Sequence, residues 1–274
     1  MRRIYGMYFS GTGTTEKVVT AVARGISSGI GLSPEDTVII NFSPPEARKK
    51  VYIFREREAV VFGVPVIAGR VPNVLLKFLD TLQGNGALAV PVVLYGNRNF
   101  DDALIELRNI LEDKGFHTIA AAAFIGEHSF SRTLAAGRPD GDDMKIADAF
   151  AEAVADKLKN LCTIPDPIYV EGEEPLRGYY QPRDREGTPI NILKVKPKLD
   201  ESKCTKCGIC IDACPMGSIM ADAPGIVDGI CIKCCGCEKK CPEGALYFDD
   251  PGYLYHKEEL EIAYADRQEP KIYI

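Results

Sequence analysis

The chain has 274 residues, 46% of them hydrophobic and 26% charged, with a net charge of -6 and a pI of about 5.3. That composition excludes collagen-like, coiled-coil and wholly disordered chains, and the acidic balance makes nucleic acid and anionic membrane poor partners. The longest apolar run, residues 87–95, has nine residues and contains Pro91, far short of the ~18 a membrane span needs; the expectation is a cytoplasmic protein with no membrane span and no secretory leader.

Short apolar runs alternate with helical patterns through the first 160 residues. Residues 3–9 read as a strand and 15–30 as a helix. Residues 37–41 form a second strand, and 46–54 a helical stretch. A buried strand at 59–64 precedes a helix at 71–82. A strand at 88–95 precedes a helix at 101–114. The fifth strand is 118–125, and the last helix, 142–161, carries Ile146, Ala149, Phe150, Val154 and Leu158 on one face. Five strands with intervening helices predict an α/β domain with a doubly wound parallel sheet over 1–161. Ligands of such a sheet bind beyond the carboxyl ends of the strands.

Residues 162–198 are rich in Pro, Gly and Tyr and are expected to wrap between domains as a linker. Residues 199–250 carry five basic and nine acidic residues, and 251–274 form a tail. Of ten cysteines, none precedes Cys162 and nine lie between Cys204 and Cys241. A disulfide framework is normally spread over a small secreted chain, so this clustering points to metal.

The first strand runs into Ser10-Gly11-Thr12-Gly13-Thr14-Thr15. Two glycines let the backbone curl, so that amides at the helix start face one centre with the positive end of the helix dipole. Hydroxyls add neutral donors. The Gly-Lys-Ser/Thr ending of a P-loop is absent, and the third glycine of a dinucleotide fingerprint would fall at Glu16. A phosphate cradle and an ordinary strand-to-helix turn with a Thr cap both remain open.

At this loop the chain resembles flavodoxins, whose first loop reads Ser/Thr-x-Thr-Gly-x-Thr; Ser10, Thr12, Gly13 and Thr15 fit. The loop after strand 3, with Pro65, Val66, Ile67, Ala68, Gly69 and Arg70, is similar to the one covering a flavin face. The loop after strand 4, Gly96, Asn97, Arg98, Asn99 and Phe100, is similar to the segment whose aromatic stacks on the other face. The resemblance implies FMN, with Phe100 in the stacking position and amides near Asn97 at the pyrimidine edge. The chain departs from the family in having no Trp and in placing Arg70 and Arg98 where acidic surroundings are usual. Cations there are expected to raise the flavin potential and to attract an acidic module.

Cys204-x-x-Cys207-x-x-Cys210-x-x-x-Cys214-Pro215 recurs, offset by 27 residues, as Cys231-x-x-Cys234-x-x-Cys237-x-x-x-Cys241-Pro242. Thiolates three residues apart on a tight loop reach three corners of an iron–sulfur cube, and the fourth ligand must come from elsewhere. Zinc sites pair Cys-x-x-Cys units across a longer gap. The segment resembles two-cluster bacterial ferredoxins, a small α+β fold in which the fourth cysteine of each run ligates the other cluster. That resemblance implies two [4Fe–4S] clusters, one on Cys204, Cys207, Cys210 and Cys241, the other on Cys231, Cys234, Cys237 and Cys214. Cys235 and Cys162 are expected not to be ligands. Aliphatic residues from Ile209 to Leu246, with Phe248, are expected to fill the space around the clusters.

The whole chain resembles fused flavodoxin–ferredoxin proteins of anaerobic prokaryotes, and this implies electron transfer between two [4Fe–4S] clusters and FMN. The partner is then a redox protein, a ferredoxin or an oxidoreductase. The alternative is an FMN-dependent reductase of a small-molecule acceptor, for which His128 and Arg132 are the weak catalytic candidates.

Overall fold

The computed structural model describes Met1 and residues 3–274. Strands β1 (Arg3–Tyr8), β2 (Val38–Asn41), β3 (Glu58–Pro65) and β4 (Leu88–Tyr95) are interleaved with helices α1 (Thr14–Gly29), α2 (Leu76–Leu79) and α3 (Ala103–Asp113). Strands β5 (His117–Thr118) and β6 (Ala121–Ile125) follow, then helix α4 (Gly141–Asn160). The sheet order is β2-β1-β3-β4-β6, all parallel, with β5 continuing the β6 position beside β4. Counting β5 and β6 as one position, this is the 2-1-3-4-5 order of the flavodoxin-like fold. All eight residues of β4 are buried, as befits a central strand covered on both faces. One apolar cluster packs α1 and α4 on one face of the sheet; the other lies with α3 on the opposite face.

Three local differences from the sequence expectation have physical causes. The fifth strand is split. Ala89 accepts from Ile119 N on the β6 side, so two residues on Pro91 faces the same side, where it has no amide to give the ladder. The helical stretches expected at 46–54 and 71–82 shrink to the 3-10 turn Pro45–Lys49, and to the 3-10 turn Asn73–Leu75 leading into the four-residue α2. Pro45 and Pro72 keep the residue before each out of the helical region, so each turn begins no earlier than its proline.

The remainder holds β7 (Lys198–Leu199), α5 (Ile209–Ala213), α6 (Gly236–Lys239), β8 (Leu246–Tyr247), α7 (Pro251–Ala263) and β9 (Lys271–Tyr273). β7 and β8 pair antiparallel, which gives the cysteine region a small α+β form. The tail does more than pack. α7 starts at Asp250, whose side chain accepts from Tyr253 N, with Pro251 in the first turn. β9 adds antiparallel to the outer edge of β6, pairing Ala121 with Tyr273 and Ala123 with Lys271, and so covers that sheet edge.

No helix among the described residues is long and apolar enough to cross a membrane.

Candidate cofactor sites

The β1–α1 loop turns at Gly13, whose φ of 101° lies in the left-handed region open to glycine. Ser10 fixes the curl: its amide donates to Ser43 Oγ at 2.7 Å, and its own Oγ accepts from Gly13 N at 3.0 Å. Helix α1 has no side-chain cap, so the Thr cap is not used. Among the described residues, the amides of Thr12, Thr14 and Thr15 donate to no protein acceptor. The space where a Gly13 side chain would project is open. Unpaired donors at the start of a sixteen-residue helix, with room before them, suit an anion such as a phosphate.

The two loops expected to flank a flavin ring are arranged differently from that expectation. Phe100 is 4% exposed; its ring packs on Tyr95 at 5.6 Å, with Lys271 Nζ 5.5 Å from its centroid. It therefore belongs to the core and presents no free face for stacking. Asn97 is buried, and its side chain holds the tail: Nδ2 donates to the carbonyls of Tyr264 and Asp266 at 2.7 and 2.8 Å, and Oδ1 accepts from Gln268 N. The aromatic that touches both loops is Tyr180, from the linker. Its amide donates to Ala68 O at 2.8 Å, and its ring lies under the Arg98 guanidinium at 4.2 Å.

Neither arginine stands as a free cation. Arg70 pairs with Glu106 through two bonds of 2.8 and 2.7 Å, and Arg98 pairs with Asp101. Asn99 is exposed and accepts from Asp101 N. Pro65, Val66, Ile67 and Ala68 are half-buried and Gly69 is buried. The linker is secured by Asp102, fully buried, which accepts from the amides of Glu173 and Arg177 and from the Arg177 guanidinium. The bond to Arg177 holds the Asp102 carboxyl down at about 2.

His128 and Arg132 do not form a catalytic pair. His128 packs against Gly96, and its Nδ1 accepts from Phe130 N at 3.2 Å. Burial, then the nearby Lys239, His256 and Arg98, bring it down to about 3, so it is a neutral imidazole at neutral pH and no ready proton donor. Arg132 donates to Glu238 O at 3.2 Å and ties the two regions of the chain together.

The repeat cysteines surround two cavities. One is lined by Cys204, Cys207, Cys210 and Cys241, with Leu199, Ile209 and Leu246. The other is lined by Cys214, Cys231, Cys234 and Cys237, with Ile219, Ile232 and Phe248. Each run thus sends its last cysteine to the other's cavity. Among the described residues, no three His, Cys, Asp or Glu side chains converge on a single-ion site. Backbone amides point at sulfur: Lys206 N to Cys204 Sγ at 3.4 Å, Ser218 N to Cys214 Sγ at 3.4 Å, and Ala245 N to Cys241 Sγ at 3.3 Å. Such bonds stabilise thiolate and tune a cluster.

Cys235 also borders the second cavity, but its thiol is tied to Tyr253 OH at 3.3 Å and Lys233 O at 3.4 Å. Cys162 is exposed and stands apart from both cavities. Of the aliphatic residues expected around the clusters, Ile219 and Leu246 are buried, whereas Ile226 and Ile230 are more than half exposed.

The cysteine region sits on the ligand end of the sheet, held by residues that the sequence reading did not single out. Arg48 donates to Pro215 O at 2.6 Å. Lys239, in α6, donates to Glu127, to His128 O at 2.7 Å and to Ser131 O at 2.7 Å. Gly11 lies directly against Cys234. The expected attraction by Arg70 and Arg98 is replaced by Arg48, Lys239 and Arg132.

Residues 197–220 match the family described as the 4Fe-4S binding domain. No curated protein matches the chain. Among solved structures, it is similar to a flavodoxin from the domain Archaea, at 18% identity over 58% of this chain and 99% of that one, with a TM-score of 0.41. It is also similar to the rubredoxin oxygen:oxidoreductase of the anaerobe Desulfovibrio gigas, at 14% identity over 58% of this chain and 36% of that one, with a TM-score of 0.39. A Streptococcus pneumonia TIGR4 flavodoxin is 17% identical over 57% of this chain and 97% of that one, with a TM-score of 0.38. By its own strand order and by the matched segment, the chain joins a flavodoxin-like α/β domain to a ferredoxin-type 4Fe–4S region.

Proposed function

We propose that the chain is an electron-transfer protein carrying two [4Fe–4S] clusters and one FMN, exchanging electrons with a redox protein partner. The observation that carries this reading is the sorting of eight repeat cysteines into two four-cysteine cavities, one of them set against the β1–α1 loop.

The residues present fit these groups. Cys204, Cys207, Cys210 and Cys241 would hold one cluster, and Cys214, Cys231, Cys234 and Cys237 the other. The unpaired amides of Thr12, Thr14 and Thr15 suit the FMN phosphate. For the ring, the loops at 65–70 and 96–100 remain the candidates, with Tyr180 in place of Phe100 as the aromatic that touches both. When bound, clusters exchange electrons singly and a flavin one or two at a time, so the pair interconverts the two modes.

The chain's own groups position and enclose. Asp102 anchors the linker over the β3 and β4 loops, Asn97 anchors the tail, and Lys239 anchors α6 over the β6 loop. With these loops in contact with the chain's own segments, electron exchange with a protein fits better than a small-molecule reductase. Iron, acid-labile sulfide and flavin content of anaerobically purified full-length protein tests the proposal. The expected result is about eight irons and one flavin per chain; a colourless, zinc-only protein would overturn it.

A further inference from the structure

The two cysteine runs share their spacing and differ in their setting. In the first, Thr205, Lys206, Cys207 and Ile209 are exposed. In the second, no residue from Cys231 to Cys237 is exposed, and Cys235 and Gly236 are buried. Phe248, Tyr253 and the linker cover Cys235 and Lys233, and the flavodoxin-like domain covers Cys234 and Gly236. A Cβ on Gly11 would lie 2.8 Å from Cys234 Cβ and 3.0 Å from its Sγ, and one on Gly236 would lie 2.5 Å from Gly11 O. Both positions admit nothing larger than glycine without parting the backbones.

Further contacts from the flavodoxin-like domain fall on the same cavity's cysteine segments. Arg48 meets Pro215, next to Cys214. Arg132 meets Glu238, next to Cys237. Lys239, at the end of α6, meets Glu127, His128 and Ser131. Gly217, three residues after Cys214, lies against Pro45. Among the described residues, no hydrogen bond joins residues 204–210 to residues 1–160.

We infer that the cavity of Cys214, Cys231, Cys234 and Cys237, lined like the other by the C-terminal region, is shielded from behind by the β1–α1 loop of the flavodoxin-like domain packed on Cys234. Gly11 is the positioning residue whose missing side chain lets that loop close on Cys234. The cavity of Cys204, Cys207, Cys210 and Cys241 has no such backing and is the face open to an outside one-electron carrier. This rests on the two-cluster reading. Its consequence is a difference in access: a chelator or oxidant reaches the first cluster freely and the second only when the domains part.

The test is iron release from anaerobically reconstituted, full-length holoprotein in bathophenanthroline disulfonate, with the remaining clusters counted by EPR after dithionite reduction. Wild type is expected to lose iron in two phases of equal size, the slow one slower by about tenfold, the scale on which supporting contacts act at metal sites. Cys207→Ser removes the fast phase. Gly11→Val speeds the slow phase by about tenfold and leaves the fast one unchanged. Arg48→Ala and Lys239→Ala, which leave both glycines intact, move the slow phase in the same direction and guard against misfolding of Gly11→Val. A single phase in wild type, or loss of the slow phase on Cys207→Ser, overturns the inference. Fewer than about five irons per chain before chelator is added overturns the two-cluster reading itself, a separate outcome.

Discussion

The two halves of the cysteine repeat have one local chemistry and two environments. Cys204–Pro215 and Cys231–Pro242 present the same ligand spacing, and each sends its last cysteine across to the other. Cys204 to Cys210 are not pressed onto the sheet's ligand end, whereas the second half and the Cys214–Pro215 end of the first are. Burial there pushes the thiols of Cys234 and Cys237 up to about 11 and about 12. In the proposed two-cluster reading, duplication supplied two equivalent sets of cysteines, and docking made them unequal. Potential, lability and access are properties of what surrounds the ligands more than of the ligands.

The sharpest way to break this comparison is Cys241→Ser. If ligation is crossed, iron falls by about four per chain, the cluster of the Cys204 run disappears, and the EPR signal of the docked cluster survives. Loss of the docked cluster instead would mean that each run keeps its own fourth ligand.

A smaller effect is expected at the linker's anchor. Asp102→Ala removes a fully buried acceptor of two amides and a guanidinium, and should cost about 2–3 kcal/mol in chemical denaturation. Because Asp102 sits below the usual carboxylate range, its contribution is complete above about pH 4 and fades as pH falls toward 2. Hydrogen exchange at Glu173 and Arg177 should rise over that window in wild type, and be already fast at neutral pH in the variant.

Lys239→Ala removes a cation bonded to Glu127 and to two carbonyls. It should cost about 1–2 kcal/mol and loosen the docked cluster alone. The smallest effect is expected at Lys203, beside the open run, whose pair with Asp200 at 3.2 Å is largely exposed. Lys203→Ala should change stability by less than about 0.5 kcal/mol and leave both clusters in place.

What was legible in the sequence is what depends on nearby residues. The cysteine spacing pointed to three cysteines of each cavity, which come from one short loop; the crossed fourth was implied by the ferredoxin resemblance alone. The β3 and β4 strands were legible because their buried apolar runs are continuous. The start of α7 carried a readable signal, Asp250-Pro251 ahead of Tyr253, His256 and Leu260, which the reading of 251–274 as a plain tail passed over. β9 could not be read, since Lys271–Tyr273 becomes a strand only through the β6 edge. The inward turn of Phe100 depends on Lys271 and Tyr95, and the neutral state of His128 on its burial first and then on Lys239 and His256, none of them set by neighbouring residues in the sequence. The meeting of Gly11 with Cys234 is a product of docking, and no local pattern encodes it.

The central claim is that prosthetic groups of different electron capacity share this one chain. An anaerobic reductive titration of the purified holoprotein, followed by visible absorbance and EPR, tests it most directly. Uptake of about four electrons per chain, one for each cluster and two for the flavin, is the predicted result. Uptake of about two, with iron present and no flavin bleaching, would contradict it.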